Sequence, residues 1–96
     1  MSKFKLTPQA ELDLENIYDY SVENWGYPRA DRYIYDLEIA FTKLSQNQLQ
    51  GRTASYIKPG YFCYSVGSHV IFYRQSTDFL LVVRLLHKSM DFQRHL

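Results

Sequence analysis

Residues 25–28 read Trp25-Gly26-Tyr27-Pro28, and this stretch between two amphipathic segments decides the first half of the fold. Glycine commonly ends a helix, and proline is favoured in the first turn of the next one. Apolar residues recur at steps of three and four on both sides, which is typical of a helix with one packed face. The pattern predicts an antiparallel helical hairpin over about residues 8–45. Its predicted packing face consists of Ala10, Leu14, Ile17, Tyr18, Ser21 and Trp25 in the first helix, then Ala30, Tyr33, Ile34, Leu37, Ala40 or Phe41, and Leu44 in the second.

The segment before the hairpin predicts a short strand and a defined helix start. Lys3-Phe4-Lys5-Leu6 alternates polar and apolar residues, as a half-buried strand does. Thr7-Pro8 then supplies a hydroxyl cap followed by proline at the first helical position. The polar residues of the first helix are expected to point outward: Glu11, Asp13, Glu15, Asn16, Asp19 and Glu23.

The second half of the chain has the pattern of a sheet. The β-rich run 61–66, the turn Gly67-Ser68 and the run 69–74 predict a β-hairpin. Residues 79–86 are apolar at successive positions, which predicts a central strand covered on both faces. The tail 87–96 is expected to form one or two helical turns. The predicted architecture is α+β, β-α-α-β-β-β, in a single domain over residues 1–96 with the hairpin on a mostly antiparallel sheet.

Composition excludes several classes of protein. The 96 residues are 46% hydrophobic and 22% charged, which is too apolar for a disordered chain. The longest apolar run, residues 79–83, is too short to cross a membrane, and the N-terminus has no secretory signal, so a cytoplasmic protein is expected. A single cysteine, Cys63, excludes an internal disulfide and is expected to be buried. The histidines are too scattered for a metal site, and no cofactor is expected.

Charge is distributed unevenly along the chain, although the formal net charge is only +1. Acids dominate residues 8–48 and bases dominate residues 49–96, which indicates a polar partner for the second half. A pI near 7.9 argues against a dedicated nucleic-acid-binding protein, so no direct, specific nucleic-acid binding is expected. Arg84 interrupts a core strand and must be paired or directed into an open groove.

Two sets of side chains are candidates for contact with a partner. Aromatic residues make up 17% of the chain, and the tyrosines outside the packing stripe are either exposed contacts or edges of the core. The basic residues fit either structural or partner-binding roles, or the general-acid and phosphate-stabilising roles of a metal-free ribonuclease. The candidates are Tyr20, Tyr27, Tyr35, Arg52, Arg74, Arg84, His87, Lys88, Met90, Asp91 and Arg94, with no catalytic residue assigned.

The order of these features resembles the ParE-type toxins of bacterial type II toxin–antitoxin systems, within the RelE/ParE superfamily. The resemblance covers nearly the whole chain and departs from the family at Asn47-Gln48, where Asn-Pro is common. The matching motifs are Leu6-Thr7-Pro8, Ala10, Asp13-Leu14, Ile17, Tyr20, Trp25-Gly26, Ala30, Tyr33, Gly51-Arg52, the hairpin Gly67–Tyr73, Arg84-Leu85-Leu86-His87 and Met90-Asp91.

The resemblance implies a toxin that poisons DNA gyrase by stabilising its cleavage complex, without being an enzyme. It also implies a ParD-like antitoxin whose flexible segment lays an amphipathic helix along the helical hairpin. Acidic antitoxin residues are expected to meet Arg52, Arg74 or Arg84, and gyrase to contact the basic second half and the tail around residues 87–94. Two alternatives remain: a metal-independent endoribonuclease acting on ribosome-bound mRNA, and a non-toxic relative that only binds its antitoxin.

Overall fold

The helical hairpin is present in the computed structural model, which describes residues 3–96. Helix α1 spans Pro8–Trp25 and α2 spans Tyr27–Ser45. The Thr7 hydroxyl accepts a 3.1 Å hydrogen bond from the Ala10 N–H and so caps the start of α1. Gly26 ends α1 with a φ of 87°, a value that favours glycine, and its N–H donates to the Val22 carbonyl at 2.9 Å. The two helices therefore reverse direction at a single residue, as the sequence predicts.

Five strands form one sheet in the order β1-β5-β4-β3-β2. Strand β1 runs parallel to β5, whereas all other neighbours are antiparallel. The predicted order β-α-α-β-β-β is confirmed, and the helical turn predicted in the tail forms the short helix α3; the two-residue strand β2 was not predicted. The elements of the second half are β2 (Arg52–Thr53), β3 (Phe62–Val66), β4 (His69–Gln75), β5 (Leu80–His87) and α3 (Phe92–His95), and β1 spans Phe4–Leu6.

The sheet is covered on both faces. The main core lies between the hairpin and the sheet and includes Leu37, Phe41 and Val82. A smaller core lies on the opposite face, where Phe72 and Leu86 are covered by residues 54–61 and the C-terminal segment. The prediction that the last strand is covered on both sides is therefore confirmed. Cys63 is buried in this smaller core, also as predicted.

Two residues of α1 depart from the predicted faces. Trp25, expected in the packing stripe, is 48% exposed, because it is the last residue of α1. Asp13, expected to point outward, has a side chain only 11% exposed, because it is drawn toward β5 by Arg84. Helical periodicity alone cannot predict the second displacement, since its cause lies 71 residues further along the chain.

Candidate functional site

Three of the predicted partner-contact residues meet at one cleft. Tyr20, His87 and Met90 line a cavity of about 260 Å³ between α1 and the end of β5. Tyr20 is 60% exposed and Met90 is 41% exposed, so the rim is accessible and largely apolar. The cleft therefore offers an apolar recess edged by an imidazole and a phenol. Its remaining lining is Asp13, Asn16, Ile17, His69 and Leu85.

His69 lines this cleft and is not among the candidates of the sequence analysis. It pairs across the sheet with His87, and the two ring centres lie 5.2 Å apart. Its Nδ1 lies 2.7 Å from the Tyr33 hydroxyl, which donates to the Val66 carbonyl at 3.0 Å and accepts from the Ser68 N–H at 3.1 Å. This network assigns the ring proton to Nδ1, which then donates to the Tyr33 oxygen. The position of a histidine directly after the Gly67-Ser68 turn is the only signal in the sequence.

Burial keeps the His69 ring uncharged at neutral pH. Desolvation, joined by a smaller effect of the nearby His87 imidazole and opposed by Asp13, lowers the pKa of His69 to about 4. A ring with this pKa, already bonded to Tyr33, is a fixed structural group. The exposed His87 has a different partner, since its Nδ1 accepts from the Ser89 N–H at 3.0 Å.

Arg84 is paired, as the sequence requires. Its Nε and Nη2 donate to the two oxygens of Asp13 at 2.7 and 3.0 Å, and its Nη1 donates to the His95 carbonyl at 2.9 Å. The Leu85 N–H donates to the same carboxylate at 3.0 Å. Because β1 pairs only with Leu80–Val82, the Leu85 N–H has no strand partner on that side of β5, and Asp13 accepts its hydrogen bond instead. The hydrogen bonds to Asp13 also raise the pKa of Arg84. The side chain of Arg84 is only 16% exposed, which gives it a structural role.

The C-terminal candidates lie on an anchored segment. Asp91 caps α3 through a 3.2 Å hydrogen bond from the Gln93 N–H, and Phe92 packs against Phe72 with ring centres 4.9 Å apart. Lys88 and Arg94 are exposed on either side of this anchor. The tail is therefore a surface whose geometry depends on the smaller core beneath it.

The other candidates lie apart from the cleft. Tyr27 and Tyr35 are 65% and 55% exposed on α2, which confirms that they lie outside the core stripe. Arg52 and Arg74 are exposed on β2 and β4. The structure thus separates one aromatic and histidine-containing cleft from two strand arginines.

A second groove lies along the hairpin itself. Leu14, Tyr18 and Ile34 line an opening of about 350 Å³ between α1 and α2. Its rim on α1 carries carboxylates four residues apart, which places them on one ridge. The rim residues are Glu11, Glu15 and Asp19.

Within residues 3–96, no group of three or more His, Cys, Asp or Glu side chains is placed to hold a metal ion. In the same range, no helix combines the length and the apolar character needed to span a membrane. Burial raises the pKa of the Cys63 thiol, so it stays protonated.

Solved structures with the same arrangement of helices and strands define the class of protein. A chain of the chromosomal ParDE toxin–antitoxin system from Pseudomonas aeruginosa superposes with a TM-score of 0.78 at 25% identity, over 91% of this chain and 96% of that one. A chain of the RelBE2 toxin–antitoxin complex from Mycobacterium tuberculosis superposes with a TM-score of 0.60 at 20% identity, over 91% and 98%. The fold is that of the RelE/ParE superfamily of toxins.

Sequence comparison narrows the class to one family. Residues 4–92 match the model of the ParE toxin of type II toxin–antitoxin systems, parDE. Toxin ParE1 of Mycobacterium tuberculosis is 38% identical over 99% of this chain and 98% of its own length. Toxin ParE1 of Caulobacter vibrioides is 31% identical over 100% and 99%. The chain belongs to the ParE toxin family.

Proposed function

We propose that this ParE-family chain inhibits bacterial growth by binding DNA gyrase in the cytoplasm and stabilising its cleavage complex with DNA. The observation that carries the proposal is the family match over residues 4–92, together with similarity to named ParE toxins along the whole chain. The toxin acts by binding, without catalysing a reaction of its own.

The internal bonding of the polar groups supports a binding mechanism. A metal-free ribonuclease needs a group that moves protons and a cation that stabilises the phosphorane. Here His69 is bonded to Tyr33 and Arg84 is bonded to Asp13, so both are committed to the fold. The exposed cleft residues Tyr20, His87 and Met90 are the proposed gyrase contacts, together with Lys88, Asp91 and Arg94 of the tail.

A ParD-like antitoxin is the proposed neutralising partner. Its amphipathic helix lies in the groove between α1 and α2, with apolar side chains on Leu14 and Ile34. Because the groove is rimmed by Glu11 and Glu15, this helix carries basic residues along its edges. Tyr27 and Tyr35 extend the contact. Acidic residues elsewhere in the antitoxin face Arg52 and Arg74, because Arg84 is occupied by Asp13.

The decisive experiment incubates the purified protein with gyrase, supercoiled plasmid and ATP, followed by detergent and protease. We expect linear DNA that disappears when the antitoxin is added. Deleting the tail is unsuitable as a variant because Phe92 would leave Phe72 uncovered. Met90→Asp and Lys88→Glu change the exposed surface alone, and Glu38→Ala on α2 serves as a control outside the proposed gyrase and antitoxin contacts.

A folded wild-type protein that yields no linear DNA would overturn the proposal. The same preparation is then assayed for cleavage of ribosome-bound mRNA, which would establish the ribonuclease alternative. Intact mRNA would leave a relative that only binds its antitoxin.

A further inference from the structure

Three cationic side chains lie on the face of the sheet that points away from the helical hairpin, around the smaller core. Lys5 pairs with Leu81, and Leu81 pairs with Arg74, so these three residues share one face. Arg52 pairs with Cys63, and Cys63 pairs with Phe72, whose ring belongs to the smaller core on that same face. Lys5, Arg52 and Arg74 therefore lie on one side of the sheet.

The three cations span the sheet from edge to edge. Lys5 is on β1 and Arg52 is on β2, the two outer strands, while Arg74 lies on β4 between them. With neighbouring strands about 4.8 Å apart, the outer cations are separated by about 19 Å. Lys58 adds a fourth charge beside β3, where its ammonium lies 5.6 Å from the centre of the Tyr61 ring.

These cations are free to meet a partner. Lys5, Arg52, Lys58 and Arg74 are all exposed. Within the described part of the chain, ion pairs are found at Arg32–Asp36 and Arg84–Asp13, and none involves these four residues. The acid nearest in sequence to Arg74 is Asp78, in the turn after β4.

The opposite side of the molecule is acidic. The hairpin carries the exposed acids of the first half of the chain, and the sheet separates them from the basic face. The net charge of +1 is therefore the sum of two opposed faces on a plate of 37 × 33 × 21 Å. A near-neutral total argues against nucleic-acid binding only when charge is evenly distributed. Here it is segregated by face.

We propose that the basic sheet face, defined by Lys5, Arg52, Lys58 and Arg74, binds the phosphate backbone of duplex DNA without reading its sequence. A span of about 19 Å corresponds to five or six base steps of about 3.4 Å along one strand, so four cations can contact separate phosphates. Four exposed cations spread over one face suit a regular polyanion. The contact adds DNA to the partners of the proposed gyrase function, but its test does not require gyrase.

The test measures fluorescence anisotropy of a labelled 20-base-pair duplex of random sequence as purified protein is added. Four phosphate contacts give a slope of log K against log salt of about −3.6. Affinity then falls about 150-fold between 50 and 200 mM salt, from a micromolar value at the lower concentration. The double variant Arg52→Ala/Arg74→Ala should halve the slope, so that the same change in salt weakens binding only about 12-fold.

A matched control keeps the net charge equal. The double variant Arg29→Ala/Lys43→Ala removes two exposed cations from α2 on the opposite side of the sheet. It should bind DNA as the wild type does. Equal losses in both double variants would overturn the proposal, because net charge and not the face would be responsible. Absence of wild-type binding at 50 mM salt would also overturn it.

Competition identifies the class of partner. Unlabelled duplex should displace the labelled duplex at least tenfold more effectively than polyglutamate of equal total charge. Equal displacement by polyglutamate would show that the face serves acidic protein segments alone, such as those of the proposed antitoxin, and would overturn the DNA assignment. Binding of the duplex without linear plasmid in the gyrase assay would support this inference and reject the gyrase proposal. Linear plasmid in the gyrase assay without binding of the duplex would support the gyrase proposal and overturn this inference.

Discussion

Replacing Asp13 by alanine tests the assignment of Arg84 to the fold. The carboxylate accepts hydrogen bonds from Arg84 Nε, Arg84 Nη2 and the Leu85 N–H at 2.7, 3.0 and 3.0 Å. The side chains of Arg84 and Asp13 are 16% and 11% exposed. Asp13→Ala therefore leaves a nearly buried guanidinium and a strand N–H without their acceptor.

The magnitude follows from the burial of the pair. Removing one partner of a buried ion pair costs about 3–5 kcal/mol, whereas an exposed pair contributes about 0–1 kcal/mol. Because both side chains keep some contact with solvent, we expect about 3 kcal/mol for Asp13→Ala. In a domain of this size, that lowers Tm by about 12–24 °C. Such a loss is a large part of a typical stability of about 5–15 kcal/mol.

Urea unfolding followed by circular dichroism at pH 7 provides the assay. Glu15→Ala, an exposed acid on the same helix, is the control and should change stability by less than about 0.5 kcal/mol. The double variant Asp13→Ala/Arg84→Met should be more stable than Asp13→Ala alone, because it also removes the unpaired charge. Asp13→Ala with the stability of Glu15→Ala would refute the structural role of Arg84 and return it to the set of partner contacts.

Three further predictions concern the cores and the histidine. The pKa of His69 is about 4 in the folded protein, against an ordinary 6.5, so the unfolded chain binds a proton first as the pH falls. The contribution of His69 to the free energy of unfolding is therefore full above pH 6.5 and declines toward pH 4. Between pH 7.5 and 5.0 the free energy of unfolding should fall by about 2 kcal/mol. In urea titrations, His69→Asn should remove this pH dependence, whereas the exposed His95→Asn should keep it. Gly51→Ala places a Cβ 2.7 Å from the Cys63 carbonyl oxygen and 2.9 Å from the Tyr73 ring, so it should lower stability by about 1–3 kcal/mol. If adding Tyr73→Phe restores none of this stability in thermal melts, the proposed clash is contradicted. Phe92→Ala uncovers Phe72 and should destabilise by about 2–3 kcal/mol, against no measurable change for Gln93→Ala, and equal unfolding midpoints for the two would show that α3 is not anchored.

Local patterns predicted most of the architecture. The Trp25-Gly26-Tyr27-Pro28 junction, the Thr7 cap and the Gly67-Ser68 turn each act over a few residues, and the structure confirms all three. Strand β2 was not predicted, because two residues carry no periodicity. Its existence depends on pairing with β3, which only the folded sheet supplies.

The site was less predictable because its bonds connect distant segments. The Tyr33–His69 contact joins residues 36 positions apart, and the Asp13–Arg84 pair joins residues 71 apart. Charge along the chain indicated two halves of opposite sign, which the structure converts into two faces. The exposed tyrosines were predicted from their place outside the packing stripe, whereas Trp25 was misplaced because the helix ends there.

The parallel pairing of β1 with β5 also determines when the toxin can exist during its own synthesis. Phe4 pairs with Leu80, and the Thr7 hydroxyl donates to the Val83 carbonyl, so β1 can pair only after β5 has been synthesised. At about 5–20 residues per second, the ribosome needs about 2–8 s to extend the chain from the end of α2 to the end of β5. During that interval the residues of the acidic hairpin have been synthesised, while most of the strands that bury its inner face and carry the basic face have not. The residues of the proposed antitoxin groove are therefore synthesised seconds before the strand that carries Arg74 and completes the proposed surface for DNA.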